Sequence, residues 1–379
     1  MAEDLTKFTN LKRKTKGMIN IDPLQTGGIL TKEASQALTE WGDGFSVCDF
    51  CPGKLTEIKN PPINYFVNQA LPEFLGADLV CLTHGAREGK FMIMYAIAKP
   101  GEFVILDKNA HYSSYVAAEK AGLKIKEVPS SGYPEFKIEA KEYETAIKEI
   151  KKKGGNISLI LLTWPDGNYG NLADVKKVAE ISKTHKIPLL VNAAYAIGRF
   201  PVNMNEIGAD FIIGSGHKSM ASCGPIGFIG MKKKWEKVLL KKSQYFKEKE
   251  IEVLGCTARG TAIMTLMASF PYVVERTKKW PEQVEKARWF SKNLEELGIK
   301  QLGEKPHNHD LMFFESEKLY EISKTHKQGA FFLYKVLKEH NIWGIKPGLT
   351  KHFKLSSFAA TREELEKVVQ VFKDILKKN

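Results

Sequence analysis

Several short segments of this chain gather side chains that can do chemistry, and the sharpest is Ala209-Asp-Phe-Ile-Ile-Gly-Ser215-Gly-His217-Lys218. An apolar run ends there in small residues and delivers an imidazole and an amine. The run reads as a buried strand, and ligands of open α/β sheets bind outside the carboxyl ends of strands. A lysine held at such an edge, desolvated or beside other positive charge, sheds its proton more easily and becomes a nucleophile toward an aldehyde. Lys218 is therefore expected to carry pyridoxal 5'-phosphate as a Schiff base.

Further segments supply what that cofactor needs. Thr83-His-Gly-Ala86-Arg87-Glu-Gly89 stands between a strand and a helix. Backbone N–H groups at the helix start, helped by Arg87, make a cup for a phosphate, although such a turn also occurs without a ligand. In Asp107-Lys-Asn-Ala-His111-Tyr-Ser-Ser114 the imidazole is placed to stack on a pyridine ring and assist proton movement at Cα. A lone histidine there also serves as a helix cap or a polar core residue. Leu189-Leu-Val-Asn192 ends in an amide where enzymes of this kind normally hold the carboxylate that keeps the ring nitrogen protonated. An amide can hydrogen-bond that nitrogen but supplies no negative charge, so the electron sink is weaker and a good leaving group at Cβ is favoured. In Asp166-Gly-Asn168-Tyr-Gly170, Asn168 either contacts the ring oxygen or belongs to a plain turn.

The elements that must position these residues alternate from about residue 70 onward. ADLVCLTHG, EFVILD, LKIKEVP, NISLILLTWP, IPLLVNAA, ADFIIGSG and IGFIGM read as strands, with helical periodicity in AREGKFMIMYAIA, YSSYVAAEKAG, AKEYETAIKEIKKKGG and NLADVKKVAEISKTHK between them. That order predicts an α/β domain built on a mainly parallel seven-stranded sheet. After about residue 265, long amphipathic helices and short strands (DLMFFES, HFKLSSF) predict a smaller α+β domain. The expected division is an N-terminal arm over residues 1–35, a large cofactor-binding domain over 36–265 and a small domain over 266–379. The turn-rich Asn20 to Gly28 stretch of the arm is suited to lie across another surface, such as a dimer partner.

A chain of 379 residues with 43% apolar and 27% charged residues can build two such cores. No apolar run approaches the roughly 20 residues of a membrane span, and the basic N-terminus lacks the apolar core of a secretory signal, so a cytoplasmic protein is expected. Five cysteines, an odd number, argue against a secreted disulfide framework. The formal charge of +13 suits a polyanion such as tRNA, and equally suits a lysine-rich solvated surface.

Together these segments resemble the fold-type-I pyridoxal-phosphate enzymes, the aspartate-aminotransferase-like group that includes cysteine desulfurases. Pro23-Leu-Gln-Thr-Gly-Gly28, Cys48-Asp-Phe-Cys51-Pro-Gly and Gly255-Cys256-Thr-Ala-Arg-Gly260 narrow the resemblance to the archaeal O-phosphoseryl-tRNA:cysteinyl-tRNA synthase family. The resemblance spans essentially the whole chain. It implies that Ala86, Arg87, His111, Asn168, Asn192, Ser215, His217 and Lys218 surround the cofactor. It also implies β-replacement of phosphate by sulfur on O-phosphoseryl-tRNA(Cys), with Lys218 or His111 taking the Cα proton. Cys48, Cys51 and Cys256 are then persulfide carrier and resolving thiols, or ligands of an iron–sulfur cluster with one open iron. Implied partners are the charged tRNA(Cys), the phosphoseryl-tRNA synthetase that loads it, a sulfur donor and a second copy of the chain, with no membrane. The alternative reading is a cysteine desulfurase or selenocysteine lyase acting on a free amino acid. Without the resemblance, Cys48 and Cys51 are equally two buried thiols; Cys81 reads as core, and Cys223 as ambiguous.

Overall fold

A computed structural model describes residues 8–9, 11–24, 26–43, 47–256 and 260–378. Residues 1–7 of the expected arm, Gln25 of its turn-rich stretch and residues 257–259 after Cys256 lie outside this description.

A two-residue strand, β1 (Ile19–Asn20), precedes the main sheet. The main sheet comprises β2 (Leu79–Thr83), β3 (Phe103–Asp107), β4 (Lys124–Val128), β5 (Ile157–Thr163), β6 (Leu189–Asn192), β7 (Phe211–Ser215) and β8 (Gly227–Met231), in the order β2-β8-β7-β6-β5-β3-β4. Strands β4, β3, β5, β6 and β7 pair in parallel, while β8 runs antiparallel to both β7 and β2. All seven expected strands are present.

The composition of each strand follows its place. Central β5, Ile-Ser-Leu-Ile-Leu-Leu-Thr, is apolar on both faces because helices cover both, whereas edge strand β4 carries Lys124, Lys126 and Glu127. Strand periodicity sends Ile105, Ile160, Leu162, Val191 and Ile212 to one face, where they meet Tyr143 and Ile147 of helix Ala140–Lys152 and Val178 of helix Val175–His185. Val104, Leu159, Leu161, Leu190 and Ile213 go to the other, against Met92 and Ile93 of helix Ala86–Ile97 and Ala117 of helix Tyr112–Lys120.

A second core forms under a three-stranded antiparallel sheet of β9 (Lys300–Leu302), β10 (Leu311–Glu315) and β12 (His352–Ser356), with β10 central. Helices Trp280–Glu296 and Arg362–Lys378 pack on it through Phe290, Leu294, Leu365 and Phe372. Helix Gly260–Lys278 places Ile263, Leu266 and Val273 in the first core, so a limit at residue 265 falls inside a helix. The N-terminal segment joins the second core: β1 pairs in parallel with β11 (Ile342–Trp343), and Ile21 is fully buried there.

Candidate active site

The topology collects the carboxyl ends of β2, β3, β5, β6 and β7 along one sheet edge, and a cleft of about 830 Å³ opens there. Its lining includes Ala86, Arg87, His111, Asn192, Ser215, His217 and Lys218, seven of the eight residues expected around a cofactor. Asn168 is the exception. It is exposed, and its Oδ1 accepts a hydrogen bond from Lys354 Nζ at 2.9 Å, while neighbouring Gly167 does reach the cleft. The short turn held by Asp166, whose Oδ1 accepts the N–H groups of Asn168 and Tyr169, fixes that arrangement.

Lys218 follows β7 in a four-residue helical turn, Gly216–Ser219. Burial, then the positive charges of Arg199 and Arg87, lower its amine from 10.5 to about 8. The amine sits 4.4 Å from the centroid of the Tyr195 ring. The turn is clamped from behind: Arg276 donates to the carbonyl of Ser219, and Arg199 Nε donates to Ser219 Oγ at 3.1 Å. From the other side, Gly27 and Gly28 press on the same turn. A Cβ at Gly28 would stand 2.2 Å from the carbonyl oxygen of His217, so only glycine permits that approach. This close contact accounts for the paired glycines of the N-terminal segment.

Helix Ala86–Ile97 begins at Gly85, which has φ +134° and offers no side chain to cap the first N–H groups. Arg87 stands exposed at the same end. The start of this helix is thus an anion seat in the sense of dipole and open donors together. Ser222 Oγ, on the cleft lining, is buried without a partner among the described residues, which marks polar capacity held for a ligand. Asn192 is buried at the end of β6; its Oδ1 accepts the N–H of Ala194 at 3.4 Å, leaving the amide N–H groups to donate. An amine of lowered pKa, an anion seat, an unsatisfied hydroxyl and a buried amide fit pyridoxal phosphate.

Sequence reasoning passed over the buried carboxyl of Asp107, behind the Thr163 wall, and Lys90 in the cleft. Lys90 lies 2% exposed beneath it, one helical turn beyond Arg87. Asp107 ends β3 fully buried, its Oδ2 accepting the N–H of Thr163 at 2.8 Å, and burial raises its carboxyl to about 7. Spacing offered a signal for Lys90, which shares a helix face with Ala86 at i, i+4, but a lysine in an amphipathic helix ordinarily faces solvent.

The three cysteines assigned to sulfur chemistry lie elsewhere in the chain's fold and do not line the cleft. Cys48 lies within a 3₁₀ turn, Val47–Phe50, and Cys51 directly follows it, its Sγ accepting the N–H of Gly53 at 3.4 Å. Cys256 comes close enough for both to act on it. Burial raises its thiol first, the N–H of Leu55 and the charge of Lys249 oppose that, and Cys48 and Cys51 raise it further. Among the described residues, no three His, Cys, Asp or Glu side chains stand where they can share a metal ion. Cys81 is buried in β2 as expected, and Cys223 lines the Lys218 cleft.

An open, mainly parallel seven-stranded sheet with its cleft at the carboxyl edge and a smaller α+β unit beyond it defines the fold-type-I class of pyridoxal-phosphate-dependent enzymes. A cysteine desulfurase from Thermococcus onnurineus shares that fold at a TM-score of 0.75 and 16% identity, covering 96% of this chain and 95% of its own. The family model for O-phosphoseryl-tRNA(Sec) selenium transferase, SepSecS, matches residues 91–377. An O-phospho-L-seryl-tRNA:Cys-tRNA synthase of Methanosarcina acetivorans is 56% identical over 375 residues, 99% of this chain and 97% of that protein. One from Methanocaldococcus jannaschii is 50% identical over 98% and 99% of the two chains. The SepCysS chain of a solved complex with the SepCysE N-terminal domain superposes at a TM-score of 0.93, with 49% identity and 99% of both chains covered. The chain belongs to the O-phospho-L-seryl-tRNA:Cys-tRNA synthase family.

Proposed function

We propose that this protein converts O-phosphoseryl-tRNA(Cys) to cysteinyl-tRNA(Cys), with pyridoxal phosphate attached at Lys218. The observation that carries the reading is Lys218 itself: an amine of lowered pKa on a clamped turn, in the same cleft as Arg87, His217 and Asn192. The bound cofactor would supply an electron sink for the pair left at Cα when its proton departs. The helix start at Ala86 and Arg87 would seat the cofactor phosphate. Asn192 would donate to the ring nitrogen without protonating it, which limits the sink and suits a substrate whose Cβ already bears a good leaving group. Lys218 would hold and move the Cα proton, and His217, whose imidazole burial and then Lys218 keep uncharged, would donate a hydrogen bond to the departing phosphate.

Cys48, Cys51 and Cys256 would carry sulfur as thiols. What supports this is their mutual proximity despite the long sequence separation. Their arrangement does not by itself offer a three-ligand metal site, so no step is assigned to an iron–sulfur cluster. Beside these cysteines in the chain, Phe50 and Leu254 are 55% and 88% exposed, apolar side chains that favour pairing with a second copy of the chain. The charge of +13 favours the tRNA. A phosphoseryl-tRNA synthetase would deliver the substrate. Among the described residues no helix is long and apolar enough to cross a membrane.

The test is phosphate release from O-phosphoseryl-tRNA(Cys) together with cysteinyl-tRNA formation in the presence of a sulfur donor. Both should depend on the tRNA. Turnover of free cysteine at rates indifferent to tRNA would instead support the desulfurase reading.

A further inference from the structure

Lys90 is a second amine in the cleft, and nothing in the reaction outlined above uses it. It is buried in helix Ala86–Ile97, where Nζ lies 2.6 Å from Ser113 Oγ and 3.2 Å from Ser114 Oγ. It has no carboxylate partner among the described ion pairs. A lysine sequestered in this way is costly unless its hydrogen bonds do something for the fold or for the site.

The bonds lead to His111. Ser113 Oγ lies 2.7 Å from His111 Nδ1, and the backbone N–H of Ser113 donates to the same nitrogen at 3.2 Å. A backbone N–H can only donate, so Nδ1 must present its lone pair, and the proton of the neutral ring must sit on Nε2. Because Nδ1 accepts, the Ser113 hydroxyl must donate to it, so Ser113 Oγ in turn accepts from Lys90 Nζ whether that amine is charged or neutral. With Lys90 feeding a hydrogen bond into Ser113 Oγ, the hydroxyl proton of Ser113 is directed onward to Nδ1. The chain therefore has one direction, from Lys90 through Ser113 to the imidazole.

We infer that Lys90 is a positioning residue that, through Ser113, holds the His111 ring in the tautomer protonated at Nε2, making His111 a hydrogen-bond donor in the cleft and not the base for the Cα proton. This rests on the reading of the cleft as the cofactor and substrate site. The electrostatics agree with the geometry. Burial lowers the His111 imidazole to about 4, and the positive charges facing it, Lys90 first and then Lys218, Arg87 and Lys354, push it the same way. A ring so far below neutrality stays uncharged at working pH, as a fixed neutral donor must.

The experiment is nitrogen-15 NMR of the histidine side chains in the full-length protein, without and with pyridoxal phosphate, with His111→Gln used to assign the His111 signals. Wild type should show one protonated nitrogen, Nε2, across neutral pH. Lys90→Met, which keeps the length and removes the charge and donors, should populate the second tautomer and raise the ring's protonation midpoint by roughly one pH unit. Ser113→Ala keeps the backbone N–H but loses the shorter 2.7 Å contact, so it should weaken the preference for Nε2 and bring up a detectable Nδ1-protonated population even if Lys90→Met fails to fold; Lys90→Arg should restore much of the wild-type pattern. A wild-type ring protonated at Nδ1, or ring signals and midpoint unchanged in both Lys90→Met and Ser113→Ala, overturns the inference. Because the tautomer is read in the apoprotein as well, this outcome is separate from whether the cofactor sits on Lys218.

Discussion

Arg199 and Asp310 form an ion pair in which both side chains are fully buried, although 111 residues separate them in sequence. Asp310 precedes β10 of the second core and also accepts from Ser356 Oγ of β12, while Arg199 reaches Ser219, the residue after Lys218. The pair thus ties the turn that presents the amine to the smaller unit of the fold.

Breaking that tie should cost stability. Burial alone would raise the Asp310 carboxyl, but Arg199 and then His309 hold it at about 2, below its ordinary 3.8. A carboxylate depressed in the folded state stabilises fully above its unfolded value. The contribution, about 2 kcal/mol, is lost as pH falls from about 4 toward 2. Asp310→Asn leaves the Arg199 charge buried without a counter-ion and should destabilise by about 3–5 kcal/mol. Denaturant titration of the apoprotein at pH 7 checks it; a change below about 1 kcal/mol contradicts it.

Gly28→Ala should disturb the same turn from its other side. The new methyl would stand 2.2 Å from the His217 carbonyl oxygen, a backbone atom that can yield only by moving the Lys218 segment. Activity should fall roughly tenfold to a hundredfold, the scale of a displacement near 1 Å in a catalytic group. Steady-state kinetics should show most of this loss in kcat.

Cofactor loading should follow the state of one amine. Lys218 is lowered from 10.5 to about 8, first by burial and then by Arg199 and Arg87, and only the neutral amine attacks an aldehyde. Reconstitution of the apoprotein at a fixed pyridoxal phosphate concentration should accelerate as pH rises and level off above about 8. A rate still climbing steeply at pH 10 would mean that Lys218 keeps an ordinary lysine pKa.

The cysteines should be separable from the cofactor. Replacing Cys48, Cys51 or Cys256 singly by serine should cut cysteinyl-tRNA formation by about a hundredfold, while the visible cofactor absorbance stays at wild-type strength, because none of the three lines the Lys218 cleft. Loss of the absorbance in these variants would place them in cofactor binding instead.

The sheet was legible because most of its strands are apolar runs, those that reach the cleft ending in a polar residue (Thr83, Asp107, Thr163, Asn192 or Ser215), and strand ends at one edge of a parallel sheet must converge. That single rule brought Arg87, His111, Asn192, Ser215, His217 and Lys218 into one cleft. Asn168 stands outside that lining, in the turn that was its alternative reading, and its contact with Lys354 depends on how β12 packs, a relation with no local signature. The rule passed over Lys90 and the Arg199–Asp310 pair. Buried charges look like surface charges in a sequence, since what distinguishes them is a partner far along the chain. His111 lines the cleft, and its Nδ1 caps helix Tyr112–Lys120, the alternative role its sequence position offered.

The most direct measurement is borohydride reduction of the reconstituted protein followed by peptide mass spectrometry. The pyridoxyl mass should appear on the peptide containing Lys218 and vanish in Lys218→Ala. Lys90 is the informative competitor, because burial, then Lys218 and Arg87, bring that amine to about 7 in the same cleft. Label on Lys90 or any other lysine of the wild-type protein, or on none after full reconstitution, contradicts the assignment of the cofactor to Lys218.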